Sequence, residues 1–188
     1  MRSPEFFIVK PKDGKRYDNT RTYGEVEFIS NSSIESADHS NRFAIVESTP
    51  IGYKGAIKKG DTLLVHHNVF KFYYDMQGRE KSGRSFFQKD LFFVDFDQFF
   101  LYKTKDEEWK AHSKYCFIKP AKEEDYYIKK FTNEEPLVGT IRYINEELLN
   151  LGLNVGDKVC YEPDSEYEFR VDGEKLYRMF TNNLVVKV

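Results

Sequence analysis

The chain has 188 residues, of which 40% are hydrophobic and 32% are charged, a balance that suits a soluble protein with a core of its own. A net charge of −2 and no block of basic residues argue against a nucleic-acid binder. The apolar runs are too short for a membrane span or a signal peptide, so we expect a cytoplasmic protein. The aromatic content is high, with 17 Phe and 13 Tyr, and it favours strands.

Turn residues separate a series of short segments that are rich in aromatic and β-branched residues, as strands are. One segment, 145–153, instead predicts a helix, because leucines follow acidic residues and Gly152 can end the helix. Many short strands with regular turns predict an all-β fold of barrels or sandwiches. In chain order, the predicted strands cover residues 5–10, 43–47, 62–67, 69–75, 84–88, 91–96, 115–119, 138–144, 158–162, 167–171, 175–180 and 184–188.

The sequence repeats itself, which indicates two copies of one structural unit. FFIVKP at residues 6–11 returns as YCFIKP at 115–120. KKGDTLLVHH at residues 58–67 returns as NVGDKVCYEP at 154–163. In both copies an apolar strand that ends in Lys-Pro precedes a Gly-Asp turn into a second strand.

The last part of each copy is predicted to be a hairpin followed by a closing strand. We pair residues 72–96 of the first copy with residues 168–188 of the second. Asp172-Gly173 is a strong hairpin-turn signal, and this pairing makes Gln77-Gly78 its counterpart.

The repeat predicts a first domain over residues 1–102 and a second over residues 115–188, joined by a charged linker at 103–114. The first copy is longer between its Lys-Pro and its Gly-Asp, and a polar loop at about residues 22–42 lies there. Long loops in compact domains are usually functional or disordered. Trp109, in the linker, is interpreted as packing the two halves together, with ligand stacking as the alternative.

Residues 91–100, LFFVDFDQFF, are apolar at nearly every position. As one strand, the segment would present apolar side chains on both faces. Such a strand is either central in a layered core or covered by a neighbouring subunit, because an exposed one promotes aggregation.

Few residues suggest chemistry. Cys116 and Cys160 lie in apolar runs and are predicted to be buried free thiols in a reducing compartment. His66 and His67 are neighbours on a predicted strand, so they face opposite sides and do not make a convergent metal site. No nucleotide-binding or hydrolase motif is present, and we therefore predict neither enzyme activity, nor a cofactor, nor a metal.

The repeated pattern resembles the GroES-type co-chaperonin family over nearly the whole chain, twice. FFIVKP and YCFIKP resemble the opening strand of that family, and the two Gly-Asp segments resemble its VGDxV strand. VDGEKLYRMFTNNLVVKV, residues 171–188, resembles its closing hairpin and strand. Lys89-Asp90 and Asn182-Asn183 stand where the family usually has an acidic pair. The resemblance implies two small GroES-like β-barrel domains in tandem.

The resemblance also implies a role for the long loop of the first copy. In this family the segment after the opening strand is mobile when free and forms a hairpin on a chaperonin ring. Its counterpart here is GEVEFISNSS, in which the resemblance assigns partner contacts to Gly24, Val26, Glu27, Phe28 and Ile29. Glu27 departs from the apolar residue that is usual at the middle position. The second copy has no such loop, whereas double co-chaperonins of plastids carry loops in both halves.

A third implication concerns self-association. In the family, the closing strand of one domain pairs with the opening strand of the next domain around a ring. The resemblance therefore assigns subunit contacts to Phe7, Val9, Phe92, Val94, Phe96, Leu184 and Val186.

The resemblance implies a co-chaperonin that caps an ATP-dependent chaperonin ring through its loop, with the nucleotide on the partner. The alternative is a virion or other assembly protein, of bacteriophage origin, that reuses the scaffold and binds a neighbouring subunit through the loop. A third hypothesis is single-strand nucleic-acid binding by residues 10–23, where Lys and Arg alternate with Tyr. A solvated segment is the simpler interpretation of those residues.

Overall fold

Strands dominate the chain, as its aromatic content predicts, and the all-β prediction is confirmed. The computed structural model describes residues 1–17, 20–23, 26–29, 39–105, 107–122 and 134–188. The chain divides into two units, Met1–Glu108 and Trp109–Val188. The division falls inside residues 103–114, the segment predicted to be the linker.

The first unit is built on one antiparallel sheet in the order β10-β5-β4-β1-β9-β8. Two hairpins, β2–β3 and β6–β7, form separate two-stranded sheets. The strands of this unit are β1 (Phe7–Pro11), β2 (Thr20–Tyr23), β3 (Val26–Ile29), β4 (Phe43–Ser48), β5 (Thr62–Val65), β6 (Phe72–Tyr74), β7 (Glu80–Ser82), β8 (Phe86–Gln88), β9 (Leu91–Val94) and β10 (Phe99–Lys103).

The second unit is built on an antiparallel sheet in the order β15-β16-β12-β13-β14-β17. The predicted helix is confirmed as α1 (Glu146–Asn150), which Asn145 caps by accepting a hydrogen bond from the Leu148 N–H. The strands are β11 (Lys110–Ala111), β12 (Tyr115–Lys122), β13 (Glu134–Tyr143), β14 (Lys158–Tyr161), β15 (Tyr167–Val171), β16 (Glu174–Phe180) and β17 (Leu184–Lys187).

The six strands given above for each unit follow the same order, so the sequence repeat is also a repeat of topology. Each unit contains an opening strand, a second strand, the strand after Gly-Asp, a hairpin and a closing strand, in the same chain order. A short 3-10 turn precedes the closing strand in both units, at Phe96–Gln98 and at Thr181–Asn183.

This topology corrects the predicted alignment of the last part of the repeat. The counterpart of closing strand β17 is β10, and not the segment 91–96. The counterpart of the Asp172-Gly173 turn is Lys89-Asp90, since Lys89 and Asp172 both have positive φ, at 47° and 48°. Gln77-Gly78 instead closes the additional hairpin β6–β7.

The segment 91–100 is not one strand, contrary to the prediction. Asp95 ends β9, and its side chain accepts a hydrogen bond from the Phe96 N–H at 2.6 Å. The Gln98 side chain accepts one from the Asp95 N–H at 3.0 Å. This capped turn changes the chain direction, so the apolar residues on its two sides belong to two strands of the sheet.

Each unit has its own apolar core. Burying a large apolar side chain stabilises a fold by about 1.5–3 kcal/mol. The first core contains Phe7, Val9, Ala44, Val46, Ile57, Leu63, Val65, Val69, Phe70, Phe92, Val94 and Phe99. The second contains Cys116, Ile118, Ile141, Leu148, Val159, Tyr161 and Met179.

Two connections of the first unit are longer than their counterparts. Residues 12–42 join β1 to β4, whereas residues 123–133 join β12 to β13. Residues 66–85 join β5 to β8, whereas residues 162–166 join β14 to β15. Each longer connection of the first unit contains a hairpin, β2–β3 in one and β6–β7 in the other.

Candidate partner-binding site

The predicted partner-contact segment lies on the β2–β3 hairpin. Its strands pair in register from Tyr23 opposite Val26 to Thr20 opposite Ile29. The Val26 side chain is 55% exposed, although a valine gains free energy when it is buried. Glu27 and Phe28 continue the same strand, and Gly24 lies outside the described residues. The hairpin therefore offers strand β3, with an exposed valine at its start.

The root of the connection that carries this hairpin is a closed neck, which we define as Arg16, Tyr17, Ser40 and Asn41. Tyr17 and Ser40 form an antiparallel bridge, and both are buried. The Asn41 N–H donates to the Arg16 carbonyl at 3.0 Å. The Asn41 side-chain amide donates to two more carbonyls, of Lys12 at 2.9 Å and Lys15 at 2.7 Å. The two ends of the connection are thus held together by hydrogen bonds.

The sequence pattern does not predict a functional role for the second hairpin, β6–β7. Asp75 orders its turn, because one carboxylate oxygen accepts from the N–H groups of Gln77 and Arg79, both at 2.9 Å. Those hydrogen bonds lower the pKa of Asp75. Tyr73, Tyr74 and Met76 are exposed. A Gln-Gly turn without any counterpart in residues 162–166 is the sequence signal that identifies this hairpin as an insertion.

The predicted subunit-contact residues fall into two groups. Four of them have no exposed surface, because they form part of the first core: Phe7, Val9, Phe92 and Val94. Phe96 is partly exposed on the capped turn, while Leu184 and Val186 lie on β17 at the edge of the second sheet. Self-association through this set stays a prediction. Phe96 and Val186 are its exposed members, whereas Leu184 is partly buried against the second core.

A cleft of about 770 Å³ lies on the first unit beside hairpin β6–β7. Phe6, Tyr73 and Phe93 provide its apolar lining. Its charged lining consists of Lys71 and Arg84 together with Asp95 and Asp97. Because the two signs balance, the lining does not favour a ligand of one charge.

The remaining candidate groups of the sequence are two cysteines and one tryptophan. Cys116 is a buried free thiol whose pKa is raised to about 12 by burial, and Cys160 is a partly buried free thiol. The Trp109 indole is buried and donates to the Asp172 carboxylate at 3.0 Å. Among the described residues, no group of three or more His, Cys, Asp or Glu side chains is placed to hold a metal ion. In the same part of the chain, no helix has the length and apolar character that a bilayer crossing requires.

Comparison with known proteins returned no match, either to a protein-family model or to a curated protein.

Proposed function

We propose that this chain is a co-chaperonin that caps a chaperonin ring through the β2–β3 hairpin and so assists protein folding. The observation that supports the proposal is the position of the hairpin. It lies in the connection between the first two sheet strands of a repeated six-strand unit, and it carries exposed Val26. That is where the GroES-type family, which the sequence resembles, has its chaperonin-binding loop.

The repeated strand order supports the finer part of the proposal, a tandem of two GroES-like barrels that associates into a ring in the cytoplasm. One hairpin contributes few apolar contacts, and ordering a loop on a partner offsets part of their free energy. A ring of chains presents several hairpins at once, which restores affinity through multivalency. The nucleotide that drives release belongs to the chaperonin.

Co-elution with a chaperonin ring on size exclusion, with and without ATP or ADP, tests the proposal. The variant Val26→Asp places a charge on the exposed position and should abolish nucleotide-dependent co-elution, because a carboxylate is costly in an apolar groove. Val155→Asp is the matched control: Val155 is 56% exposed, in the turn before β14, and its variant should still co-elute. Deleting residues 25–33 should abolish co-elution as well.

No co-elution of the wild-type chain, while it still runs as a folded species, would contradict the co-chaperonin function. Loss of co-elution in both point variants would show that the effect is not specific to the hairpin.

A second candidate function is a joint in a virion or another assembly, with the hairpin bound to a neighbouring subunit. The observation that favours it is Glu27, which places a charge in the middle of strand β3. The same experiment separates the two functions, because a co-chaperonin co-elutes with the chaperonin ring in a nucleotide-dependent way, whereas a joint whose partner is a neighbouring subunit does not co-elute with that ring.

A further inference from the structure

Arg16 occupies the junction between the two longer connections of the first unit. It follows the opening strand and the 3-10 turn Lys12–Gly14, and it directly precedes Tyr17 of the neck. Its side chain is half-buried and extends to hairpin β6–β7, more than fifty residues further along the chain. One residue thus contacts both insertions that distinguish the first unit from the second.

The guanidinium group makes contacts along both strands of hairpin β6–β7. Its Nε donates to the Phe70 carbonyl at 2.9 Å, and Nη2 donates to the Lys71 carbonyl at 3.1 Å, just before β6. On β7, the Ser82 hydroxyl accepts from Nη1 at 3.3 Å and from Nη2 at 3.4 Å. Glu80 accepts from Nη1 at 3.4 Å. Arginine suits this place because its planar fork has five donors in fixed directions.

Two aromatic rings complete the environment of the guanidinium. Its carbon lies 4.8 Å from the ring centre of Phe72 and 5.1 Å from that of Phe92. Phe72 belongs to the hairpin and pairs with Ser82 across it, whereas Phe92 belongs to the core. Tyr17 of the neck packs edge-on against Phe72, with ring centres 5.1 Å apart. Burial lowers the pKa of Arg16, but an arginine stays charged in a protein.

The backbone of the same residue holds the neck. The Arg16 carbonyl accepts from the Asn41 N–H, on the returning side of the connection. The loss of its side-chain contacts should therefore also loosen the neck, because the side chain and the carbonyl that accepts from Asn41 belong to the same residue. Arg16 thus contacts hairpin β6–β7 through its side chain and the neck through its carbonyl.

We propose that Arg16 is a positioning residue that couples hairpin β6–β7 to the neck and so positions hairpin β2–β3, whose connection begins and ends at the neck. Its use in partner binding rests on the proposed function. The second unit is consistent with this role, because both of its corresponding connections are shorter.

The test follows hydrogen exchange of single amides by NMR in the full chain. The Asn41 amide reports on the neck, and the Gly83 amide, which donates to the Lys71 carbonyl at 2.9 Å, reports on the base of the hairpin. Arg16→Lys keeps the charge but loses the fork. We expect about tenfold faster exchange at both amides, because hydrogen bonds to a partly buried charged group are lost.

The matched control is Arg142→Lys in the second unit. Like Arg16, Arg142 makes both an ion pair and an aromatic contact. It pairs with Glu174 at 3.0 Å, and its guanidinium carbon lies 4.8 Å from the Tyr143 ring centre. The Arg142→Lys variant should leave the exchange rates of both amides unchanged. Ser82→Ala is a milder variant that removes one acceptor from the hairpin side, and it should also accelerate exchange at Asn41. Acceleration at Gly83 alone, or at neither amide, overturns the coupling.

A second readout is co-elution with the chaperonin ring, where Arg16→Lys should bind about tenfold more weakly although Val26 is intact. Faster exchange at Asn41 with unchanged binding overturns the positioning role and leaves the proposed function standing. If the wild-type chain itself does not bind, the proposed function fails, and the exchange result still decides whether Arg16 couples the two insertions.

Discussion

At the scale of single residues, His67, which follows strand β5, has a pKa well below its usual range. Its ring lies beside that of His66, with centres 4.1 Å apart. The prediction that the two rings face opposite sides is wrong, because β5 ends at Val65 and neither histidine lies on the strand. Burial lowers the pKa of His67 to about 4, and the charges of His66, Arg42 and Lys71 act in the same direction. The folded protein therefore holds His67 neutral at pH values where an unfolded chain would protonate it.

This arrangement predicts a loss of stability in mild acid. The unfolded state takes up a proton at His67 near pH 6.5, whereas the folded state does so only near pH 4. Between these values the unfolded state binds more protons, so the stability from neutral His67 is present above pH 6.5 and is lost as the pH falls to about 4.

Urea unfolding across this window should show a smaller pH dependence for His67→Gln than for the wild type. His66→Gln should show an intermediate dependence, because it removes one of the charges that lower the pKa of His67. Parallel curves for the wild type and His67→Gln would contradict the prediction.

At the scale of secondary-structure elements, Asn145 connects three parts of the second unit. Its side-chain carbonyl accepts from the Leu148 N–H at 2.9 Å and caps α1. Its amide donates to the Tyr115 carbonyl of β12 at 3.1 Å and to the Thr181 hydroxyl of the last turn at 2.8 Å. Since Asn145 is buried, water does not replace these hydrogen bonds easily.

Asn145→Ala should lower the free energy of unfolding by about 2–4 kcal/mol, the sum of a lost helix cap and buried groups left without partners. Asn154→Ala is the control of the same residue type, because Asn154 is exposed in the turn before β14. Denaturation followed by circular dichroism measures both. Equal losses for the two variants would show that the connection between the three elements is not what stabilises the unit.

The sequence predicts some elements well and others badly, for reasons that particular residues explain. Helix α1 is found because the acidic first turn, the leucines that follow it and Gly152 are all local signals, whereas the Asn145 cap is seen only in the structure. The turn Lys89-Asp90 is missed because Lys89 adopts a positive φ without being a glycine. Gln77-Gly78, which contains a glycine, is therefore predicted as the counterpart of Asp172-Gly173. Strand β10 is missed because Asp95 ends β9 through a cap, and the apolar pattern alone does not reveal that turn. The Arg16 contacts depend on tertiary structure and leave no periodic pattern.

At the scale of the whole molecule, the second sheet ends in an apolar edge. β17 lies at the end of its sheet and pairs with β14. Val185 and Val186 on this strand are more than half exposed. An exposed apolar edge strand can pair with another chain, and self-association through β17 stays a prediction.

Val186→Lys should weaken self-association about tenfold, because a charge on an edge strand opposes strand addition. Val155→Lys is the control, with a similarly exposed valine in a turn rather than on the edge. Sedimentation velocity at several concentrations measures the change. A wild-type chain that remains monomeric, or a Val186→Lys variant that assembles like Val155→Lys, would contradict the ring.

Among the residues that the structure describes, both additional hairpins lie in the first unit, and this sets the valence of a ring whose partner contacts are made by hairpin β2–β3. Such a ring would present one β2–β3 hairpin for every two six-strand units, so the number of its partner contacts would equal its number of chains. Avidity multiplies over simultaneous contacts. A ring with one binding hairpin for every two units therefore either binds more tightly at each hairpin than a ring with one hairpin for every unit, or dissociates from its partner sooner.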